Sequence, residues 1–138
     1  MATVHADFQD RKRIVFTARD RSIVNVRERV DDGLIGYDST ELLLITLGNC
    51  TLGWLLSNRL LKDEEVIRAE ATLNAEMVEA PIRVAKIDVA IEIDVADPTL
   101  LEHAERLDAV SRSCPIRNTL VGVDITSSLS LAAVPAAQ

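Results

Sequence analysis

The longest uncharged stretch of the sequence covers 17 residues, 42–58. It lies within a helical pattern over residues 41–61, which Ser39 or Thr40 can cap at its first turn. One stripe of this helix is apolar at spacings of three, four and seven: Leu43, Leu47, Cys50, Trp54 and Leu61. Further leucines and an isoleucine cover the other faces, so the helix is expected to be buried in a core or at a subunit interface. A domain of this size does not easily surround one helix on every side, and the pattern therefore favours a dimer.

The same stretch is a poor membrane span. It contains glycine, asparagine, threonine and serine, and it is shorter than the roughly 20 residues that cross a bilayer. Residues 1–13 mix acidic and basic side chains without an apolar run, unlike a signal peptide. We therefore expect a cytoplasmic protein without a membrane partner, in a compartment where thiols stay reduced.

Two later segments alternate between apolar and polar residues. Residues 67–77 and 85–95 each place apolar side chains on one face and mainly polar or charged side chains on the other. Strands with one wet face are typical of antiparallel sheets. Nearer the N-terminus, residues 13–18 and 22–27 are short and β-branched, which predicts a hairpin that turns at residues 19–21, with a loop at 31–39.

The C-terminal third predicts helices followed by a strand. A second helix opens at residues 97–99, where 99–102 have the spacing of a capping box. Residues 111–120 predict a short helix with Pro115 in its first turn, and 121–131 predict a last strand before a frayed tail at 132–138. The elements indicate an α+β fold, and 138 residues suit a single domain over 1–138.

Composition excludes several partners. The net charge is −7, which opposes binding to a phosphate backbone or to an anionic membrane surface. The chain has four aromatic side chains, too few for a platform that stacks nucleic-acid bases: Phe8, Phe16, Tyr37 and Trp54. We therefore expect no nucleic acid as a partner.

The two cysteines are the main candidates for chemistry. Cys50 is either a small core residue or a thiolate nucleophile, and a nucleophile needs a cationic neighbour. Cys114 precedes Pro115 at a helix start, where a thiolate is stabilised, although it is equally consistent with a packed thiol. His5 and His103 are the only histidines and there is no Cys-x-x-Cys, so we expect neither a metal nor an organic cofactor.

The two cysteine segments resemble known signatures. Residues 41–50 read Glu-Leu-Leu-Leu-Ile-Thr-Leu-Gly-Asn-Cys, and residues 113–120 read Ser-Cys-Pro-Ile-Arg-Asn-Thr-Leu. They resemble the first and second signatures of the OsmC/Ohr family, the osmotically induced and organic hydroperoxide resistance proteins. The order of elements is also similar, from about residue 13 to residue 131.

The resemblance implies a fold and an activity. The fold is an α+β, OsmC-like intertwined homodimer, with an antiparallel sheet wrapped around two central helices. The enzymes of the family are thiol-dependent peroxidases for organic hydroperoxides. By this resemblance Cys50 becomes a sulfenic acid, Cys114 resolves it as a disulfide, and an external dithiol reduces that disulfide. An arginine from the partner's hairpin assists, and Arg19, then Arg21, is the best match.

One departure separates the chain from the hydroperoxidase branch. That branch commonly has a glutamate ten positions ahead of the first cysteine, where this chain has Thr40, preceded by Ser39. Glu41 is nine residues from Cys50 and therefore lies on about the opposite face of the helix. The missing glutamate favours an alternative, a non-catalytic OsmC-like dimer that binds a small apolar ligand at the subunit interface.

Overall fold

The computed structural model describes residues 1–10, 12–31 and 33–135. The chain divides into two compact units, Met1–Leu42 and Leu43–Gln138, which are described separately. The strands are β1 (His5–Asp10), β2 (Arg13–Ala18), β3 (Arg21–Val26), β4 (Arg29–Val30), β5 (Gly33–Leu34), β6 (Val66–Val78), β7 (Arg83–Val95) and β8 (Asp124–Ala133). The helices are α1 (Ser39–Leu56), a 3₁₀ helix (Pro98–His103), α2 (Ala104–Ser111) and α3 (Pro115–Thr119).

The N-terminal unit contains a three-stranded antiparallel sheet in the order β1-β2-β3. The predicted hairpin is confirmed as β2 and β3. Strand β1, in which His5 pairs with Thr17, was not expected, because its sequence has a single large apolar residue and no alternation. The predicted loop at 31–39 includes β5, which pairs with β4.

The hairpin turns through two residues, Arg19 and Asp20, between the paired residues Ala18 and Arg21. Arg19 has a φ of 58°, in the left-handed region that favours glycine. A positive φ at the first turn residue suits the twist of a two-residue hairpin, and glycine usually supplies it. The turn therefore forms without glycine, and Arg19 bears a backbone cost.

The start of α1 is capped by Asp38 and Glu41 rather than by Ser39 or Thr40. The Glu41 N–H donates to Asp38 Oδ1 at 2.8 Å, and the Asp38 N–H donates to Glu41 Oε1 at 2.9 Å. This reciprocal pair is a capping box, and it satisfies two backbone donors that the helix start leaves free.

The C-terminal unit contains a sheet in the order β6-β7-β8. Strands β6 and β7 are antiparallel as expected, but β8 runs parallel to β7, with Lys86 opposite Asp124 and Val95 opposite Ala133. The expectation of an antiparallel sheet is thus wrong for β8. The helices between β7 and β8 form the long crossover that a parallel pair requires.

The apolar face of β7 forms the centre of the core, as its alternation predicts. Its buried residues are Ile87, Val89, Ile91, Ile93 and Val95. On β6, the predicted inner residues at the strand ends, Ile67 and Met77, are exposed instead. Register shifts at both ends of the β6–β7 pair turn these side chains away from the core.

Helix α1 is shorter and less buried than expected. It ends at Leu56 instead of residue 61, and its buried residues are Leu47, Thr51 and Leu55. Of the predicted stripe, Leu47 and Leu61 are buried, whereas Cys50 is half-buried and Trp54 is exposed. Ile45 and Trp54 are 48% and 47% exposed. Within one chain, α1 is therefore not buried on every side. Helix α1 is long and apolar enough to cross a membrane. The core helices of soluble proteins meet the same criterion, so it is weak evidence for a membrane span.

The remaining helices refine the predicted boundaries. Asp97 caps the 3₁₀ helix by accepting the Thr99 N–H at 2.9 Å, so the expected capping box at 99–102 is wrong. Helix α3 begins at Pro115 as expected. Strand β8 includes Ala133, in the expected frayed tail, and the last three residues of that tail lie outside the described residues.

Candidate functional site

Helices α1 and α3 bring Cys50 and Cys114 together within the C-terminal unit. Cys114 is the N-cap of α3 and is 0% exposed, whereas Cys50 lies on α1 and is half-buried. Both cysteines are free thiols, and the two side chains are close enough to interact directly. The fold therefore joins two residues that are far apart in sequence.

The Cys114 sulfur has one polar contact with each of the two helices. The Arg117 N–H donates to Cys114 Sγ at 3.4 Å, and Thr51 Oγ1 lies 3.7 Å from the same sulfur. The first contact follows from local sequence, since Pro115 at the first helical position makes Cys114 the N-cap, whose side chain faces the third N–H of the helix. The second depends on how α1 packs against α3.

The environment of Cys50 disfavours its thiolate. Burial raises the pKa of the Cys50 thiol, and the neighbouring Cys114 thiol raises it further, while the backbone N–H of Ile116 acts in the opposite direction. A thiol nucleophile needs the reverse, a lowered pKa. A cation from elsewhere is therefore required if Cys50 is to react as a thiolate at neutral pH.

Arg117 is the basic residue of α3, the helix that Cys114 caps. Its guanidinium donates to the Ile125 carbonyl at 2.7 Å and to Ser127 Oγ. Burial lowers the pKa of Arg117, as does the charge of Arg112, whereas Cys114 favours the charged guanidinium. We did not single out Arg117 or Thr51 from the sequence, although the N-cap rule identifies the Arg117 N–H as a partner of Cys114.

A cleft of about 460 Å³ lies beside the Cys114 segment. Its lining residues are Trp54, Ser57, Asn58, Arg59, Val110 and Ser113. The Trp54 Nε1–H donates to Ser113 Oγ at 3.0 Å, which ties the cleft to the residue before Cys114. The exposed indole and the Arg59 guanidinium give this cleft an apolar wall and a positive charge.

The other predicted site residues belong to the N-terminal unit. Arg19 and Arg21 are exposed at the turn of the β2–β3 hairpin, and Arg21 Nε lies 4.0 Å from Asp20 Oδ1. Their role beside Cys50 stays a prediction. Within residues 1–10, 12–31 and 33–135, no group of three or more histidine, cysteine, aspartate or glutamate side chains is arranged to hold a metal ion.

Known structures resemble the chain over nearly its whole length. An OsmC-like protein from Mycoplasma pneumoniae has a TM-score of 0.75 at 17% identity, covering 96% of this chain and 97% of that one. The chain has the OsmC-like fold. The resemblance noted in the cysteine segments is thus confirmed for the fold. No protein-family model and no curated protein sequence matches the chain.

Two further structures support the OsmC-like fold. One is a Psychrobacter arcticus protein that is provisionally described as an osmotic stress induced and detoxification response protein. It has a TM-score of 0.72 at 16% identity, covering 94% of this chain and 96% of that one. The organic hydroperoxide resistance protein OhrB of Bacillus subtilis has a TM-score of 0.61 at 17% identity, covering 94% and 98%. At these identities the likeness establishes architecture alone.

Proposed function

We propose that this OsmC-like chain is a thiol-dependent peroxidase that reduces organic hydroperoxides. The contact between the Cys50 and Cys114 thiols carries the proposal, because a resolving cysteine must reach the oxidised one. The likeness to the Bacillus subtilis organic hydroperoxide resistance protein supports it. A cytoplasmic location, where thiols are kept reduced, belongs to the same proposal.

The cycle has three steps. The Cys50 thiolate attacks the terminal oxygen of the hydroperoxide, the O–O bond breaks, and an alcohol leaves after protonation while Cys50 becomes a sulfenic acid. The Cys114 thiol displaces the sulfenic oxygen as water and forms a disulfide with Cys50. An external dithiol then reduces the disulfide by two thiol–disulfide exchanges and is itself oxidised.

Activation of Cys50 is assigned to a second copy of the chain. Burial and Cys114 raise the Cys50 pKa, so a guanidinium is needed nearby to favour the thiolate. We assign this role to Arg19, or else Arg21, from the hairpin of the partner in a homodimer. The exposed apolar face of α1, including Ile45 and Trp54, is the surface proposed to pack against that partner.

A hydroperoxide assay tests the proposal. The wild-type protein should consume cumene hydroperoxide continuously with dithiothreitol as reductant, and Cys50→Ser should reduce the rate at least a hundredfold. Without dithiothreitol, Cys114→Ser should consume about one equivalent and then accumulate a Cys50 sulfenic acid that a dimedone label detects. Equal rates for wild type and Cys50→Ser would exclude Cys50 as the reacting thiol.

A second candidate function is supported by the raised Cys50 pKa and by the cleft at Trp54. It is a non-catalytic dimer that binds a small apolar ligand, with both cysteines as packed thiols. Trp54 is the only tryptophan, so its fluorescence reports on this cleft directly. Saturable quenching by an apolar ligand, together with no hydroperoxide consumption, would favour this function over the peroxidase.

A further inference from the structure

The two sulfurs of the pair differ in access and in polar contacts. Cys114 is 0% exposed, while Cys50 is half-buried. Cys114 Sγ has the Arg117 N–H at 3.4 Å and Thr51 Oγ1 at 3.7 Å. An external thiol therefore meets Cys50 first, whereas the groups that can stabilise a negative sulfur surround Cys114.

We propose that reduction of a Cys50–Cys114 disulfide has a fixed direction, in which the external thiolate attacks Cys50 Sγ and Cys114 leaves, with Arg117 as the positioning residue for the departing sulfur. This inference rests on the proposed function, since it concerns the disulfide of that cycle. The incoming sulfur forms a bond to Cys50 Sγ as the bond between the two cysteine sulfurs breaks. The electron pair of the broken bond goes to Cys114, which leaves as a thiolate.

The surroundings of Cys114 suit a leaving thiolate. A thiol leaves faster when its thiolate is better stabilised, and hydrogen bonds to a charged acceptor are stronger than those to a neutral one. The Arg117 N–H and the Thr51 hydroxyl both point their donors at this sulfur when it is negative. Neither contact depends on a second copy of the chain.

The Arg117 guanidinium adds a charge that is held in place. Its bonds to the Ile125 carbonyl and to Ser127 Oγ fix it on the first half of β8. The charge of a thiolate at Cys114 favours the charged form of the guanidinium. The other charged groups beside Arg117 are Arg112 and Asp108, and Cys50 is the other titratable group beside Cys114.

The experiment starts from a disulfide made without hydroperoxide. The full-length protein is oxidised with diamide, and the Cys50–Cys114 disulfide is verified by mass spectrometry. Glutathione, a monothiol, is then added briefly, and free thiols are blocked with iodoacetamide. We expect the glutathione adduct on Cys50 and the alkyl group on Cys114. An adduct on Cys114 would overturn the proposal.

Rates then test the role of Arg117. Opening of the disulfide should slow about tenfold in Arg117→Met and recover partly in Arg117→Lys, which restores a charge. Arg112→Met is the matched control, because the Arg112 guanidinium also donates to Ser127, at its backbone carbonyl, and donates otherwise to Asp108. An unchanged rate in Arg117→Met, or equal slowing in both variants, would overturn the positioning role.

Rescue by charge separates this role from a structural one. Arg117→Met and Arg117→Lys should have equal melting temperatures but different rates of disulfide opening, because only the lysine restores the positive charge. If diamide yields no Cys50–Cys114 disulfide, both proposals fail. If the diamide-made disulfide opens as expected but no hydroperoxide is consumed, only the proposed peroxidase function fails.

Discussion

Glu41 is committed to the start of helix α1. Its carboxylate and its backbone N–H are both used in the capping box with Asp38. The carboxylate therefore stabilises the start of the helix. This contact gives Glu41 a structural reason to be present that is independent of any chemistry at Cys50.

The capping box can be tested with a matched pair of variants. Asp38→Ala should lower the free energy of unfolding by about 1 kcal/mol, because it leaves the Glu41 N–H without its acceptor. Glu41→Gln should change both stability and hydroperoxide consumption little, since glutamine also completes a capping box. Urea unfolding and the hydroperoxide assay measure the two effects. A large loss of activity in Glu41→Gln would show a chemical role for this carboxylate.

The thiol of Cys50 should respond to Arg19 with a definite sign. Burial and Cys114 raise its pKa, and a guanidinium nearby would lower it. In a Cys114→Ser background, Arg19→Ala should therefore move the pH midpoint of Cys50 alkylation upward. If the midpoint lies above neutral pH, a rise of about one pH unit should reduce the alkylation rate at neutral pH about tenfold, because the thiolate fraction falls by that factor. Arg21→Ala tests the alternative assignment in the same way. A midpoint that moves in neither variant would show that the hairpin does not reach Cys50.

At the scale of elements, the β2–β3 hairpin keeps an arginine where a glycine is favoured. Arg19 has a φ of 58°, and a side chain in this region costs about 1–2 kcal/mol. The neighbouring Arg21 lies in the regular part of β3 without such a cost. Arg19 thus has a backbone cost that Arg21 does not have, which is consistent with a role for Arg19 beyond the turn.

The hairpin therefore predicts opposite effects on stability and activity. Arg19→Gly should raise the free energy of unfolding by about 1 kcal/mol, because glycine adopts this φ without a Cβ clash, even after its entropic cost. The same variant should slow hydroperoxide consumption. Denaturant unfolding and the assay, run on one preparation, check both. Higher stability together with unchanged activity would make Arg19 an ordinary turn residue, and lower stability would contradict the backbone cost at this position.

At the scale of the whole molecule, α1 has more apolar surface than one chain covers. Leu47 and Leu55 belong to the core that also contains the apolar face of β7, and Thr51 is buried beside Cys114, while Ile45 and Trp54 stay exposed. Exposed apolar residues on a central helix are typical of an interface between subunits. The homodimer proposed for this fold uses that face.

A charge on this face should disrupt the dimer. We expect Ile45→Lys to shift the protein from dimer to monomer at micromolar concentration, because a lysine would be desolvated in the interface. Ile82→Lys is the control, since Ile82 is an equally apolar residue that is 78% exposed in the β6–β7 connection and does not belong to α1. Sedimentation velocity measures both. A wild-type monomer at this concentration would contradict the dimer, and with it the assignment of a partner's arginine to Cys50.

Local sequence determined the elements whose pattern is complete in one segment. The alternation of β7 predicted its buried face, the β-branched runs predicted the β2–β3 hairpin, and Pro115 predicted the start of α3. Periodicity and proline geometry act over a few neighbouring residues, so they can be read without knowing the fold. The two cysteine segments are also short and local, and their resemblance to the OsmC/Ohr signatures predicted the OsmC-like fold.

Tertiary structure decided which faces meet and in which direction strands pair. The parallel pairing of β8 depends on the path of the crossover, and the buried stripe of α1 depends on the side from which the sheet covers it. The contact of Thr51 with Cys114 arises from the same packing, between residues that share no local pattern. An apolar residue shows that a face can be buried, but only the packing of the other elements decides whether it is.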